Sequence, residues 1–170
     1  LSIRRQRQMC IRDRGITVKG DEAFIPHYET PDTGGDKETY PLRMIPYELI
    51  NLSSGWVPNP PYLKKTLFAD QLRKDESFAE INPETAAEYG LTQGDRIIVE
   101  SHQGELRVRV SPFDGAMPGV VFLPMGLGHT AYDAYQRGQG VNPNQIIERG
   151  KDPLSGEAVW WETRVRIRKV

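Results

Sequence analysis

The side chains best suited to chemistry are scattered along this chain. Its three histidines, His27, His102 and His129, stand far apart, and none has another histidine or a cysteine at metal-ligand spacing. The single cysteine, Cys10, excludes an internal disulfide and any cysteine-held zinc or iron–sulfur site within the chain. There is no GxSxG nucleophile elbow, no phosphate-binding P-loop and no GxGxxG dinucleotide fingerprint. Asp and Glu are plentiful but dispersed, as on a solvated surface. These residues predict no self-contained catalytic centre.

The stretch that stands out is MGLGHTAYDAYQRGQGVNPNQI, from Met125 to Ile146. Gly126, Gly128, Gly138 and Gly140 let the backbone approach a ligand closely. Asn142 and Asn144 each carry an amide that both donates and accepts hydrogen bonds. Those properties suit a flat heteroaromatic ligand with mixed donors and acceptors, such as a pterin or guanine. A surface loop whose asparagines form turns is the plainer reading, and spacing alone leaves both standing. His129 reads as a hydrogen-bonding loop residue. A second irregular stretch is NLSSGWVPNPPYLKKTL, from Asn51 to Leu67. Gly55, Pro58, Pro60 and Pro61 forbid a long regular element there, while Trp56, Val57 and Tyr62 are costly to leave in water. It reads as a loop packed on its own core or laid over a ligand, with Ser53 and Ser54 offering hydroxyls.

Such loops need a frame. Asn82, Pro83 and Glu84 form a helix start, and Gly90 ends a helix of about two turns within Ile81–Leu91. Leu106, Val108 and Val110 alternate with Arg107 and Arg109, as in a strand buried on one face. Ile97–Ser101 reads as its hairpin partner, joined through His102-Gln103-Gly104, with Gly104 suited to a positive-φ turn position. Val120–Leu123 reads as a buried strand, and Arg164–Lys169 alternates again. Leu42–Leu49 reads as a strand in which Pro46 marks an edge or a bend. Residues 68–79 read as a short helix or a loop. Short strands, one small helix and glycine-rich turns predict a mainly β fold, a compact barrel rather than a doubly wound sheet.

Bulk properties bound the function. The length of 170 residues suits one domain with extensions. A mean hydropathy of −0.56 is polar for a free-standing globule and suits a domain whose partners cover much of it. The net charge of −1 gives no electrostatic footprint for nucleic acid or an anionic membrane. No apolar run approaches the roughly 18–20 residues of a membrane span, and no signal peptide is readable. The chain begins at Leu1, not Met, so we expect sequence before it. Residues 1–14, LSIRRQRQMCIRDR, resemble a translated sequencing-adapter tail more than a basic arm and are read as non-native. Residues 15–40 read as a polar loop or linker, and residues 41–170 as the domain.

From Pro41 to Val170 four motifs follow in order: NLSSGWVPNPPYL; INPETAAEYGLTQGDRIIVESHQGELRVRV; PGVVFLPMGLGH; and GVNPNQI with DPLSG and ETRVRI. In this order and spacing the chain resembles the C-terminal, molybdopterin-dinucleotide-binding domain of the dimethyl sulfoxide reductase family of molybdopterin oxidoreductases. The resemblance implies a six-stranded double-psi β-barrel that lies over molybdopterin guanine dinucleotide and contributes loops. It implies that molybdenum or tungsten is held by the rest of the large subunit. An iron–sulfur cluster would lie in the missing N-terminal part or in a partner. Position by position it assigns cofactor contact to Asn142 first. Ser53, Ser54 and Trp56 follow in the approaching loop, Gly126, Gly128 and His129 in the loop after the central strand, and then Asn144.

One departure stands at Trp160-Trp161-Glu162, where many members carry a lysine near Trp161. Aromatic residues there are similar to the polysulfide, thiosulfate and quinone-linked branch. Some quinone-linked relatives keep the fold without the redox cofactor, so a structural scaffold subunit is the alternative function. A stand-alone barrel acting as an adaptor is a third. By family analogy the partners are an iron–sulfur electron-transfer subunit and a membrane anchor subunit, without a membrane span in this chain. The location expected is a periplasmic or membrane-associated bacterial complex, exported by a twin-arginine signal.

Overall fold

Alternation of apolar and charged residues builds most of the frame. The computed structural model describes residues 9, 13, 20, 25–28, 35–50, 52, 76–131, 134, 137–152 and 156–170. Its strands are β1 (Leu42–Tyr47), β2 (Phe78–Ile81), β3 (Arg96–Ser101), β4 (Gly104–Pro112), β5 (Val120–Pro124), β6 (Gly150–Lys151), β7 (Ala158–Val159) and β8 (Thr163–Lys169). One helix, α1 (Pro83–Glu88), and a 3-10 turn at Pro143–Gln145 complete the described elements.

Six strands close into a barrel in the order β1-β5-β2-β4-β3-β8. β1 runs parallel to β5 and β2 parallel to β4, while the other neighbours are antiparallel. Two parallel pairs interleaved through a six-stranded closed barrel make the double-psi architecture. In β4, Leu106, Val108 and Val110 point into the core while Arg107 and Arg109 face outward. In β8, Val165 and Ile167 are buried and Arg166 and Arg168 are exposed. Met44, Ile81, Ile97, Val121 and Leu123 fill the interior around them. Closure leaves the barrel itself no unpaired edge.

Pro46 sits where a strand tolerates it. Arg43 N donates to Gly119 O on the β5 side, so the backbone nitrogen of residue 46, three further on, faces the β8 side. The ladder with β8 runs only from Leu42 to Met44, so no bond there is lost. At α1, Asn82 Oδ1 accepts from Glu84 N at 2.9 Å and Asn82 Nδ2 donates to Ala116 O at 2.8 Å. The cap thus also pins the helix start to a distant turn.

Two local expectations differ from the structure. Residues 78 and 79, within the stretch expected as helix or loop, begin β2. Phe78, Ala79 and Ile81 in this strand are wholly buried. Four residues of which three are buried, on both faces, carry no clear alternation, and Ala79 is a poor strand former, so only pairing on both sides makes the strand. Gly104 is not in the left-handed region. It pairs with Ser101 as the first residue of β4, leaving His102-Gln103 as the turn.

The described residues fall into two units. One, residues 33–148 with 160–170, contains the barrel. The other, residues 1–32 with 149–159, contains the short β6–β7 pair, whose turn is closed by Asp152 N to Glu157 O at 2.8 Å.

The registers fix what lies at each end of the barrel. Tyr47 pairs with Pro124, Glu80 with Phe122, Ser101 with Gly104, and Met44 with Thr163. The ends of β1 and β5, the starts of β2 and β8, and the β3–β4 turn therefore share one end. The long connections leave from there, and α1 lies at the other.

Candidate functional site

Five of the eight residues singled out in the sequence lie on one loop system at that end. β5 stops at Pro124, and Met125 N donates to Tyr47 O at 2.8 Å. Gly126 and Gly128 then turn the chain with φ of 92° and 76°. The loop returns against itself: Gly128 N donates to Gln139 O at 2.8 Å, and Gly138 N to His129 O at 3.2 Å. A Cβ on Gly128 would stand 2.3 Å from Asn142 N, and one on Gly140 would stand 2.8 Å from Leu127 Cβ. Gly128 thus admits the loop's own backbone, and Gly140 admits the Leu127 and Ser77 side chains. Val141 N donates to the buried Ser77 Oγ at 3.2 Å, tying the return to the start of β2.

Asn142 follows directly. Its Oδ1 accepts from Asn144 N at 3.1 Å and its backbone oxygen from Gln145 N at 3.1 Å. The side-chain oxygen is thereby committed to the turn. The amide NH2 makes no hydrogen bond among the described residues and is left as a donor. Asn144 is exposed. His129 is half-buried and its Nε2 is shielded from solvent. Ser53, Ser54 and Trp56 lie outside the described residues. The flanking Leu52 and Glu76 are described, and the strands they adjoin, β1 and β2, both meet the loop end.

The segment after Asn142 is fastened to the barrel by buried polar groups. Ser101 Oγ donates to Ile146 O at 2.7 Å and accepts from Gln103 N at 3.0 Å. Glu148 N donates to Thr163 Oγ1 at 3.0 Å. Glu148 is only 5% exposed. Its Oε2 accepts from Gln103 Nε2 at 3.2 Å, while Oε1 has no hydrogen-bond partner among the described residues and lies 4.0 Å from His102 Nδ1.

A further shielded group stands at the end of β1. The Tyr47 ring meets Phe122 edge-on, with centroids 6.2 Å apart. Burial, then the neighbouring Glu80 carboxylate, hold the Tyr47 hydroxyl well above the ordinary phenol range. Beyond the Glu80 contact, its oxygen has no close hydrogen-bond partner among the described residues. Sequence reasoning missed Tyr47 and Glu148. Each is one polar residue among many, and only burial with too few partners sets it apart.

Trp160 and Trp161, 43% and 42% exposed, stack edge-on just before β8 at the same end. Among the described residues no group of three or more His, Cys, Asp or Glu side chains is placed to hold a metal ion. No described helix is long and apolar enough to cross a membrane. The arrangement can hold a polar ligand through donors and acceptors. Among the described residues nothing in it pairs a nucleophile with a base.

Comparison with known proteins gives this geometry a context. Residues 51–159 match the family model described as molydopterin dinucleotide binding domain. The chain is 33% identical over 153 residues to the menaquinone reductase, molybdopterin-binding-like subunit of Nitratidesulfovibrio vulgaris, covering 90% of this chain and 22% of that protein. It is 34% identical over 163 residues to the arsenate respiratory reductase molybdopterin-containing subunit of Shewanella sp. (strain ANA-3), covering 90% and 19%. The chain thus spans about a fifth of the length of these relatives. Among solved structures, acetylene hydratase from Pelobacter acetylenicus superposes with a TM-score of 0.64 at 18% identity, over 86% of this chain and 21% of that one. At that identity the likeness shows the fold.

Proposed function

The chain belongs to the molydopterin dinucleotide binding domain family, and from that premise we propose that it is the cofactor-holding C-terminal part of a molybdenum or tungsten oxidoreductase large subunit. The observation that carries the reading is Asn142, whose oxygen is committed to its own turn while its NH2 remains to give. The surroundings fit a molybdopterin guanine dinucleotide. A buried polar atom short of partners is costly; Glu148 Oε1 lies at this end of the barrel, as does Tyr47 Oη with the Glu80 carboxylate beside it. A pterin or guanine offers the mixed donors and acceptors that such atoms need.

When bound, that cofactor supplies the metal-centred electron transfer, and the protein's share is to bind, orient and tune it. Here Asn142 donates to an acceptor on the heterocycle. The folded-back loop from Met125 to Val141 fixes where that amide points. Gly126, Gly128, His129 and Asn144 set the loop's path, and Ser53, Ser54 and Trp56 act from the β1–β2 connection. In the complete subunit an iron–sulfur partner and a membrane anchor subunit carry electrons to or from a quinone pool, in a periplasmic or membrane-associated bacterial complex.

Two observations favour a second reading. The aromatic pair Trp160-Trp161 and the similarity to a subunit named only molybdopterin-binding-like suit a scaffold that keeps the fold without the redox cofactor. Metal and pterin analysis of the complete gene product separates the two. Molybdenum or tungsten with about two pterins per subunit supports the redox reading; a folded subunit with neither replaces it with the scaffold.

A further inference from the structure

Glu148 presents a problem of its own. A carboxylate held at 5% exposure needs hydrogen bonds on both oxygens to offset its desolvation. Only Oε2 has one, from Gln103 Nε2 at 3.2 Å. The position is built, not incidental. Glu148 N is bonded to Thr163 Oγ1, itself fully buried, and Ser101 fastens the chain two residues earlier at Ile146 O. Among the described residues the cation-forming group beside it is His102, whose Nδ1 stands 4.0 Å from Oε1 on a side chain that is 68% exposed. The unmet oxygen therefore sits beside an exposed ring, at the barrel end where the loops gather.

We propose that Glu148 Oε1 is the acceptor of a docking site for a planar N–H donor from outside this chain, an amidine-like edge such as a guanidinium or the N1–N2 edge of guanine. A carboxylate matches such an edge because two parallel N–H groups meet acceptor lone pairs in one plane. Gln103 holds the carboxylate from the other side, and His102 moves aside to admit the donor. Two sources carry this chemistry: the guanine end of the cofactor, and an arginine of the remaining large subunit. The first source rests on the function proposed above; the second does not.

The test uses the complete gene product with Glu148→Gln, which keeps the shape but offers one acceptor oxygen where two are needed. Guanine nucleotide released from the purified subunit and the thermal unfolding midpoint are both measured, with Gln103→Ala combined with His102→Ala as control. If guanine is the donor, retained nucleotide falls about tenfold or more, the loss of one hydrogen bond to a charged group. If an arginine is the donor, nucleotide is unchanged and the midpoint falls further than in the double control Gln103→Ala with His102→Ala, which removes the internal neighbours of both oxygens. Either result supports the site. Unchanged nucleotide, with a midpoint no lower than the control's, overturns it. Wild-type nucleotide content tests the proposed function separately. If the wild type holds none, that reading fails, and the Glu148 site is decided by the midpoint alone.

Discussion

Asn142 and Asn144 are partners in one turn: the Asn144 backbone N–H donates to Asn142 Oδ1 at 3.1 Å. The two asparagines, equivalent as donors and acceptors in the sequence, thus have different jobs. Asn144 contributes its backbone, and Asn142 keeps a free amide hydrogen pair.

That division separates two substitutions. Asn142→Asp keeps the turn's acceptor and loses only the donor, so stability is held while cofactor retention in the complete subunit falls. Asn142→Ala loses both and costs about 1 kcal/mol of stability as well. Pterin content and a denaturant titration read the two effects. Full pterin content in both variants sinks the assignment of Asn142.

Gly128 and Gly119 share a φ of 76° but not their surroundings. A Cβ at Gly119 meets nothing within 4 Å, whereas one at Gly128 lands 2.3 Å from the Asn142 nitrogen. Gly119→Ala should cost about 1–2 kcal/mol, the left-handed backbone penalty alone. Gly128→Ala should cost about 3 kcal/mol or more, since the loop must open. Equal unfolding shifts for the two would show that the loop closes differently.

Asn82 caps α1 and reaches Ala116 O across 34 residues of sequence. Asn82→Asp keeps the cap but turns a donor toward a carbonyl into a second acceptor. It should therefore destabilise the protein by about 1–3 kcal/mol despite being an equally good capping residue. Denaturation midpoints of Asn82→Asp and Asn82→Ser check this, because serine also caps and adds no negative charge.

On the outer wall, Lys169 and the Thr92 backbone hold the Asp95 carboxyl down from 3.8 to about 2. A depressed folded pKa gives stability that is complete above the ordinary value and is lost as pH falls through the folded one. The wild type should therefore lose stability between about pH 4 and pH 2 more steeply than Asp95→Asn. Added salt should shrink the difference, because the pair is exposed. Parallel slopes at low salt would contradict the ion pair.

The barrel was legible wherever one face of a strand is buried and the other is wet. Leu106, Val108 and Val110 against Arg107 and Arg109 announce β4, and Val165 and Ile167 announce β8. β2 was hidden because Phe78, Ala79 and Ile81 are buried on both faces, and pairing to β4 and β5 is what makes it a strand. At the loop end the glycines and asparagines were visible by type, but the role of Gly128 was not. Its demand for glycine comes from Val141 and Asn142, brought close only by folding. Glu148 carries no local signal, since burial without a partner is a property of three-dimensional packing.

The strand β8 completes the barrel on two sides, pairing with β1 through Leu42–Val165 and with β3 through Val99–Ile167. It is also the last of the six to leave a ribosome. Until Thr163–Lys169 emerges, the nascent chain carries two unpaired strand edges more than 50 residues apart in sequence, the condition under which partly made β proteins stick to one another. A stop codon shortly before Thr163 would therefore yield an open, aggregation-prone sheet instead of a slightly smaller barrel.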